Sequence, residues 1–392
     1  MKKKILLMGW LFYPSVGGVE TIMVNLTKYL ASKYDLTILT SPVDGQEKES
    51  RVFGARVIRK EFMRAKADYP DELLRSEFNQ ILDEVAPEII HFHNSSYPFP
   101  CTLPKVITMF EEAKSRNISM IEHSHNAQSE DPVGTETIRN LPWDYVICVS
   151  NFVKSRWDEL GNNAAKITVV YNGIDREIYS GAKPDKLIKK LSAGKKVILF
   201  PARIISVSTC KLNKRKNFLL VLKACSELIK DPRHNFVLVG IKYDRMDNKN
   251  TSETEAYLQD TIKDLGLDNN VFFVPKVAPE KMPGYYSASD VVCVPSLGEP
   301  FGLVFVESMA AGKVVIGANE GGAREIIEDG KNGFLINPSD HTSLANKICA
   351  IFDDNDLENK MSKAALKRAG DFDYSVMGTR VDEVYQNILE KK

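Results

Sequence analysis

Short apolar runs alternate with amphipathic helical stretches along almost the whole chain, and this alternation constrains the fold more than any other feature. Strands and helices in alternation are typical of a doubly wound parallel α/β sheet. The runs form two series, which predicts two such units in tandem. The first series predicts strands at residues 5–8, 36–39, 57–58, 89–92, 118–122, 145–149 and 167–170. The second predicts strands at residues 197–200, 235–239, 271–274, 291–294, 314–317 and 333–336.

A polar, lysine-rich connector at residues 176–196 separates the two series. A chain of 392 residues is long enough for two domains. We therefore expect an N-terminal α/β domain at residues 1–185 and a C-terminal one at residues 186–373. Residues 374–392 have the pattern of an amphipathic helix, which we predict to cross back to the first domain. Its apolar face comprises Val376, Val381, Val384, Ile388 and Leu389.

Charge and cysteine content argue against several functions. Lys+Arg and Asp+Glu both number 52, so the bulk charge gives no reason to expect a nucleic-acid partner. None of the six cysteines forms a Cys-x-x-Cys pair, which weakens zinc and redox interpretations. Cys148 and Cys293 lie in apolar runs and are expected to be buried thiols, as in a reducing cytoplasm. No apolar run approaches the ~20 residues of a membrane helix.

Two glutamates, Glu299 and Glu307, flank seven residues that include a glycine. The surrounding pattern is strand, turn, helix, which places Glu299 on a loop after a strand and Glu307 in the following helix. In an open α/β sheet this is where ligands bind, and a helix N-terminus there favours an anionic group.

Further candidate residues lie at other strand ends. Gly17 and Gly18 precede a helix, where glycines let backbone amides approach a ligand. They do not form the GxGxxG fingerprint, so dinucleotide binding is not indicated. A basic group follows a strand of the second series, and such residues in a loop suit a phosphate or diphosphate. This group comprises Arg203, Lys211, Lys214, Arg215 and Lys216.

Histidines occur at i, i+2 spacing at the ends of two strands, as His91 with His93 and as His123 with His125. Residues two apart in a strand point to the same face. A four-histidine metal site is one interpretation, but hydrogen bonding to ligand hydroxyl or phosphate groups is favoured. Residues 51–66 are also basic and carry interleaved apolar residues. They suit either an anionic lipid or acceptor, or a solvated domain edge, which is the favoured interpretation.

The segment Glu299-Pro-Phe-Gly-Leu-Val-Phe-Val-Glu307 resembles the E-x(7)-E signature of family-4 retaining glycosyltransferases. Those enzymes have the GT-B fold, in which two Rossmann-like domains face each other across a cleft. Further stretches agree in order and position over nearly the whole chain. They are Gly17-Gly18-Val19-Glu20, the strand ending at His125, Val149-Ser150, Tyr171-Asn-Gly-Ile-Asp175, Arg203 with Lys216-Asn217, Gly321-Gly322 with Glu325, and Asp329-Gly-Lys-Asn-Gly333.

The resemblance implies a role for each matching residue. Glu307 would accept hydrogen bonds from the ribose of a nucleotide sugar, and Glu299 would face the donor sugar and leaving group. Arg203 and Lys216 would hold the diphosphate. Sugar hydroxyls and the distal phosphate would bind the backbone amides at the helix start, which belong to Phe301, Gly302 and Leu303.

In the first domain, the resemblance implies that Gly17 and Gly18 shape the acceptor side and that His125 touches the donor sugar. Two assignments remain open. His123 competes with His125. The family places its arginine and lysine close together, whereas Arg203 and Lys216 are 13 positions apart here (216 − 203), so that Lys211 or Lys214 could replace Lys216.

The resemblance implies a retaining hexosyltransferase with a UDP-linked donor, and glucose or N-acetylglucosamine as the favoured sugar. We expect no metal or other cofactor, because cations and helix amides can stabilise the departing diphosphate and no convincing Asp-x-Asp motif is present. The expected acceptor is a glycan, a lipid-linked molecule, or a small polyol or aminocyclitol. We expect a cytoplasmic protein, with peripheral membrane contact through residues 51–66 as a further option.

Two other functions are compatible with the same residues. One is a GT-B sugar-nucleotide epimerase acting on UDP-N-acetylglucosamine, which would need acid and base groups in the cleft. The other is a non-catalytic sugar-nucleotide binding partner. The E-x(7)-E pattern and the segment Tyr171-Asn-Gly-Ile-Asp175 favour transfer over epimerisation. The presence of both glutamates, Arg203 and a histidine argues against a non-catalytic partner.

Overall fold

The computed structural model describes residues 1–95, 101–126, 132–204, 212–241 and 249–391. The chain divides into two units. The first comprises Met1–Ile174 and Phe372–Lys392, and the second comprises Asp175–Asp371. Among the described residues, no helix combines the length and the apolar character needed to cross a bilayer.

The first unit contains an eight-stranded sheet in the order β3-β4-β2-β1-β5-β6-β7-β8. All neighbouring strands are parallel except β3 and β4, which are antiparallel. The strands are β1 (Lys4–Gly9), β2 (Asp35–Thr40), β3 (Glu49–Val52), β4 (Ala55–Arg59), β5 (Ile89–His93), β6 (Ser119–Ser124), β7 (Tyr145–Cys148) and β8 (Ile167–Val169). Five helices connect them, α1 (Gly18–Leu30), α2 (Asp71–Val85), α3 (Thr102–Ser115), α4 (Pro132–Asn140) and α5 (Asn151–Glu159).

The second unit contains a six-stranded, fully parallel sheet in the order β11-β10-β9-β12-β13-β14. Its strands are β9 (Lys196–Phe200), β10 (Phe236–Ile241), β11 (Val271–Val274), β12 (Val291–Val294), β13 (Val314–Ala318) and β14 (Gly333–Ile336). Its helices are α6 (Lys186–Ser192), α7 (Phe218–Leu228), α8 (Lys249–Asp264), α9 (Met282–Ser287), α10 (Leu303–Ala310), α11 (Ala323–Ile326), α12 (His341–Asp353) and α13 (Asn355–Ala369).

Both sheets reverse strand order beside their first strand, between β1 and β5 in the first unit and between β9 and β12 in the second. This reversal creates the crevice in which doubly wound sheets bind ligands. The central strands are buried apolar runs because helices cover both faces of such a sheet. The predicted α/β class with two doubly wound sheets is confirmed.

The last helix, α14 (Tyr374–Leu389), belongs to the first unit and packs on α1. The chain leaves this unit at Ile174 and re-enters it at Phe372. A backbone bridge joins the two crossings, with Ile174 N donating to Phe372 O at 2.9 Å and Tyr374 N donating to Ile174 O at 2.9 Å. Of the expected apolar face, Val376 is 43% exposed, whereas Val381, Val384 and Ile388 are buried.

The first unit ends at residue 174, whereas the sequence predicted a boundary after residue 185. The intervening residues pack within the second unit. The ring centroid of Tyr179 lies 6.0 Å from that of Tyr286, Asp185 N donates to Gly284 O at 2.9 Å, and Ser287 Oγ donates to Ala182 O at 2.6 Å. The polar composition of the connector therefore concealed a segment that is anchored by a few contacts within the second unit.

Candidate active site

In the second unit, the loops after the two strands at the switch point carry residues expected to bind the donor. Arg203 follows β9, and Glu299 follows β12, which pairs with β9 in the sheet. Both residues therefore lie at the edge of the sheet where this fold class has its ligand crevice.

Glu299 and Lys216 form an ion pair in which Lys216 Nζ lies 2.5 Å from Glu299 Oε2. The side chains are 14% and 27% exposed, respectively. Burial acts to raise the pKa of Glu299, but the charge and hydrogen bond of Lys216 outweigh it and hold that pKa below its ordinary value. Glu299 is therefore ionised at neutral pH and has a cation beside it.

The other basic candidates differ in their surroundings. Arg203 and Lys214 are exposed, and Lys211 lies outside the described residues. Arg215 links its own loop to the loop that carries Glu299, because its guanidinium donates to Gly298 O at 3.1 Å and its backbone carbonyl accepts from Leu297 N at 2.6 Å. Of the two described lysines considered for the diphosphate, Lys216 is the one in contact with Glu299.

The amides of Phe301, Gly302 and Leu303 lie where the chain turns into α10. Gly302 precedes the helix with φ 103°, a conformation that favours glycine. A Cβ at this position would also lie 2.5 Å from the ring of Phe305. The sequence Gly-Leu in the motif thus permits a sharp entry into the helix, which brings its first amides to the carboxyl end of β12.

Gly321 and Gly322 pack closely against the backbone of the loop that carries Glu299. A Cβ at Gly321 would lie 2.6 Å from Glu299 O, and one at Gly322 would lie 2.6 Å from Pro300 O. Gly322 N also donates to Glu299 O at 2.7 Å. Close backbone packing therefore accounts for these two glycines, and they fix the backbone that carries Glu299.

Glu307, in α10, is held by two tyrosines. Tyr286 donates its hydroxyl to Glu307 Oε2 at 2.6 Å, and Tyr179 makes a second side-chain hydrogen bond to the same carboxyl group. Burial raises the pKa of Glu307, and the two hydrogen bonds oppose this rise. Neither tyrosine could be predicted from the sequence, because no local pattern relates them to a glutamate in another element.

In the first unit, Gly17 caps α1 and Gly18 is its first residue. Gly17 O accepts hydrogen bonds from Thr21 N at 3.0 Å and Thr21 Oγ1 at 2.9 Å. A Cβ at Gly17 would overlap the carboxylate of Glu20, which folds back over the start of the helix. The N-terminal turn of α1 therefore already has an acidic side chain beside it.

Four histidines, three in β5 and β6 and one directly after β6, form one buried group, which we call the histidine array (His91, His93, His123 and His125). Two rows of hydrogen bonds connect the strands. His91 Nε2 meets His123 Nδ1 at 3.2 Å, and His93 Nδ1 meets His125 Nε2 at 3.0 Å. The first row continues to α14, where Tyr385 Oη lies 2.6 Å from His91 Nδ1. The sequence predicted the shared face of each pair, but it gave no sign of Tyr385.

Within each strand the rings of the histidine array stack. The centroids of His91 and His93 are 4.5 Å apart, and so are those of His123 and His125. Burial lowers the pKa of His91 and of His125 to about 3, and it lowers the pKa of His93 and His123 well below their ordinary value. All four rings are therefore neutral at pH 7.

The geometry of the histidine array gives one argument for a bound metal ion and one against it. One ring nitrogen from each of His91, His93 and His123 lies within 4.8 Å of the other two. However, both nitrogens of His91 already take part in hydrogen bonds, so its coordination of a metal would break one of them. The observed arrangement is that of a hydrogen-bonded network.

Glu122 is a buried acid that the sequence analysis did not consider. It precedes His123 in β6 and is fully buried, and burial raises its pKa to about 8. Ser95 N donates weakly to both carboxyl oxygens at 3.3 Å. A lone acidic residue inside a strand that is buried along its whole length was the signal that could have revealed it.

Half of the six basic residues in the stretch at residues 51–66 have carboxylate partners. Arg56 pairs with Glu49 at 2.7 Å and Glu84 at 2.6 Å, Lys60 pairs with Glu77 at 3.3 Å, and Arg64 pairs with Glu61 at 2.5 Å, so three of the basic residues have acidic partners. Arg59 is buried and donates instead to Glu47 O and Ser50 Oγ. This stretch therefore offers less free positive charge to a membrane surface than its composition indicates.

Two family models match separate parts of the chain. The model described as "Glycosyl transferases group 1" matches residues 185–368, and the model "Glycosyltransferase Family 4" matches residues 16–178. The first match contains both glutamates and the basic loop of the second unit. The second contains Gly17, Gly18 and the histidine array.

Two relatives and one solved structure extend these matches. The chain is 27% identical over 394 residues to the putative glycosyltransferase YtcC of Bacillus subtilis, covering 96% of this chain and 89% of YtcC. It is 28% identical over 284 residues to the lipopolysaccharide 1,2-N-acetylglucosaminetransferase of Salmonella typhimurium, covering 71% and 69% of the two chains. Its fold is similar to that of Anabaena HepE in complex with UDP, with a TM-score of 0.77, 22% identity and coverage of 98% and 100%.

Proposed function

The chain belongs to the group 1, family-4 glycosyltransferases, which transfer a sugar from a nucleotide sugar, and we propose that its donor is a UDP-hexose and that the anomeric configuration is retained. Glucose and N-acetylglucosamine are the favoured sugars. The names of two similar proteins support this choice. The structure of HepE is a complex with UDP, and the Salmonella enzyme is named as an N-acetylglucosaminetransferase.

The observation that carries the proposal is the Lys216–Glu299 ion pair at the carboxyl edge of the second sheet. In the proposed reaction, the bond between the anomeric carbon and the diphosphate oxygen breaks, and the acceptor oxygen bonds to the same face of that carbon. The acceptor proton passes to the departing diphosphate. Lys216 and Arg203 stabilise the negative charge that develops there, together with the amides of Phe301, Gly302 and Leu303.

The two glutamates have separate proposed roles. Glu307 accepts hydrogen bonds from the ribose, and Glu299 faces the donor sugar. Because positive side chains and amides supply the charge stabilisation, we propose that the reaction needs no bound metal or other cofactor. We also propose a cytoplasmic setting, which is supported by the buried, unbridged thiols of Cys148, Cys225 and Cys293.

The proposed acceptor is a glycan, a lipid-linked molecule, or a small polyol or aminocyclitol. The named activity of the Salmonella relative, on lipopolysaccharide, supports the glycan class. The ion pairs of Arg56, Lys60 and Arg64 weaken the support for a peripheral membrane contact through residues 51–66.

The test is mass-spectrometric screening of a nucleotide-sugar panel for slow hydrolysis, followed by an acceptor panel with the best donor. We expect a UDP-hexose to be consumed with or without a chelator, and the product to keep the anomeric configuration of the donor. Lys216→Ala should lower kcat by about 100-fold, because it removes one stabilising contact to the leaving group. The matched control is Lys214→Ala, which removes an exposed lysine in the same turn.

Three outcomes would contradict parts of this proposal. Loss of activity with the chelator and recovery with a divalent cation would refute metal independence. Inverted product would refute retention. Epimerised sugar nucleotide formed from UDP-N-acetylglucosamine without an acceptor would replace transfer by isomerisation.

A further inference from the structure

The histidine array contains two buried ring nitrogens that have no hydrogen-bond partner among the described residues, His93 Nε2 and His123 Nε2. His93 is 1% exposed and His123 is fully buried. Since each neutral imidazole has one N–H donor and one acceptor nitrogen, an unpartnered nitrogen restricts where the proton of that ring resides. The two unpartnered nitrogens therefore help to assign the tautomers of the histidine array.

The hydrogen bond between His93 Nδ1 and His125 Nε2 has two possible directions. If His125 donated, His93 would carry its own proton on Nε2, as a buried N–H without an acceptor. If His93 donates, only a lone pair is left unpartnered on Nε2. Unpaired buried N–H groups are rarer than unpaired acceptors, so the second direction is favoured.

The direction of this bond determines the state of His125. Because His125 Nε2 accepts the proton of His93 Nδ1, the proton of His125 itself must reside on Nδ1. Burial lowers the pKa of His125 to about 3, so the ring is neutral and holds a single proton. His125 directly follows β6, at the carboxyl edge of the sheet, and is 7% exposed.

We propose that His93 is a positioning residue for the sugar transfer, because it holds His125 as the Nδ1–H tautomer, which presents a hydrogen-bond donor at the carboxyl edge of the first sheet. This role rests on the proposed function. The tautomer itself does not, because it follows from the contacts within the first unit.

The other row of the array, His91 and His123, packs against the row of His93 and His125. His93 stacks on His91 with an interplanar angle of 24°, and His125 stacks on His123 with an angle of 19°. His91 is in turn bonded to Tyr385 of α14. The rings of His93 and His125 are therefore packed against a second hydrogen-bonded row.

The tautomer is tested by NMR of the full chain labelled with 15N-histidine. The chain has six histidines, and the two outside the array, His234 and His341, belong to the second unit. Single variants of each histidine assign the signals. At pH 7 we expect His125 to show a protonated Nδ1 and an unprotonated Nε2. A proton on Nε2 of His125 in the unmodified protein would overturn the proposal, and this measurement needs no variant of His93 to fold.

The functional role is tested by a double-mutant cycle with the UDP-hexose. His93→Leu should lower kcat about tenfold, and His93→Asn, whose side-chain amide lies near the position of Nδ1, should restore most of that loss. In a His125→Ala background, His93→Leu should have no further effect, because its influence passes through His125. His341→Leu is the control for a histidine-to-leucine change outside the array.

An equal loss in both backgrounds would show a merely structural role for His93 and overturn the proposal. So would a stoichiometric transition metal in the purified protein whose removal shifts the array signals. If the unmodified protein turns over no nucleotide sugar, the proposed function fails, while the 15N measurement still decides the tautomer.

Discussion

At the scale of single residues, the two glutamates of one motif have different electrostatic environments. Glu299 pairs with Lys216, and its pKa is lowered. Glu307 has no such cation in its described hydrogen bonds, and two tyrosine hydroxyls hold it while burial raises its pKa. This difference suits the proposed division of labour, with a charged group near the leaving diphosphate and a fixed hydrogen-bond acceptor for the ribose.

Tyr286→Phe should weaken donor binding rather than the chemical step. The change removes the 2.6 Å hydrogen bond to Glu307, and a bond to a charged group contributes about 1.5–3 kcal/mol. We expect KM for the nucleotide sugar to rise about tenfold or more while kcat changes by less than about threefold. Steady-state kinetics measure both values, and Tyr285→Phe is the neighbouring control. A fall in kcat with unchanged KM would contradict the ribose role of Glu307.

Glu122 makes the stability of the first unit depend on pH. Burial raises its pKa from 4.5 to about 8, so between these values the folded protein keeps a proton that the unfolded chain releases. The free energy of unfolding therefore falls as pH rises through this window. The neutral histidines act in the opposite sense below about pH 6.5, where the unfolded chain binds their protons.

Glu122→Gln removes the acidic group while leaving the histidines unchanged. We expect this variant to match the unmodified protein at pH 5 and to be more stable at pH 8 by about 1 kcal/mol or more. Urea unfolding followed by tryptophan fluorescence at both pH values measures the difference. Glu390→Gln, at an exposed position, should show none. Equal stabilities at pH 8 would mean that Glu122 is ionised at no cost in the folded state.

At the scale of secondary-structure elements, the sequence predicted the strands that have a local apolar pattern. Strands buried on both faces, such as β9 and β12, stand out as apolar runs. The edge strand β3 was missed because its sequence Glu-Ser-Arg-Val alternates between exposed and half-buried positions and has no apolar run. Likewise, the sequence did not reveal the 3-10 turn at Arg176–Ile178 or the burial of Tyr179 in the connector, since Tyr179 packs on Tyr286 of a distant element.

The residues of the candidate site could likewise be predicted only where they form a local motif. Glu299, Gly302 and Glu307 form one contiguous motif, so their placement on a loop and a helix could be predicted. Tyr385 lies 294 positions from His91 along the chain, and only the return of α14 to the first unit brings them together. Such a contact depends on tertiary topology, which a local pattern does not specify.

The start of α14 depends on Gly173, which lies beside the backbone bridge. A Cβ there would lie 2.7 Å from Tyr374 Cα and 2.9 Å from Asp373 O, both backbone atoms that cannot rotate away. We expect Gly173→Ala to lower the free energy of unfolding by about 1–3 kcal/mol through overpacking. Urea unfolding measures this. Gly370→Ala is the control, because its Cβ would meet only the Arg176 side chain, at 3.4 Å.

At the scale of the whole molecule, the first unit is discontinuous in sequence, since its last helix follows the complete second unit. The first unit therefore cannot complete its fold until the whole chain is present. Helix α14 contributes several buried side chains, among them Met377, Val381, Val384 and Tyr385. It also contributes Asp382, which pairs with Lys33 at 2.6 Å and accepts a short hydrogen bond from Tyr34.

Deleting residues 374–392 should unfold the first unit and leave the second folded. Each buried apolar side chain of α14 contributes about 1.5–3 kcal/mol, and their sum is comparable to the ~5–15 kcal/mol stability of a typical domain. All three tryptophans, Trp10, Trp143 and Trp157, are buried in the first unit, so tryptophan fluorescence reports on that unit alone. We expect the truncated chain to lose the fluorescence-detected transition but to keep a cooperative transition by circular dichroism. Removal of residues 390–392, of which Glu390 and Lys391 are exposed, should leave both unchanged. A retained fluorescence transition after the longer deletion would show that the first unit folds without α14.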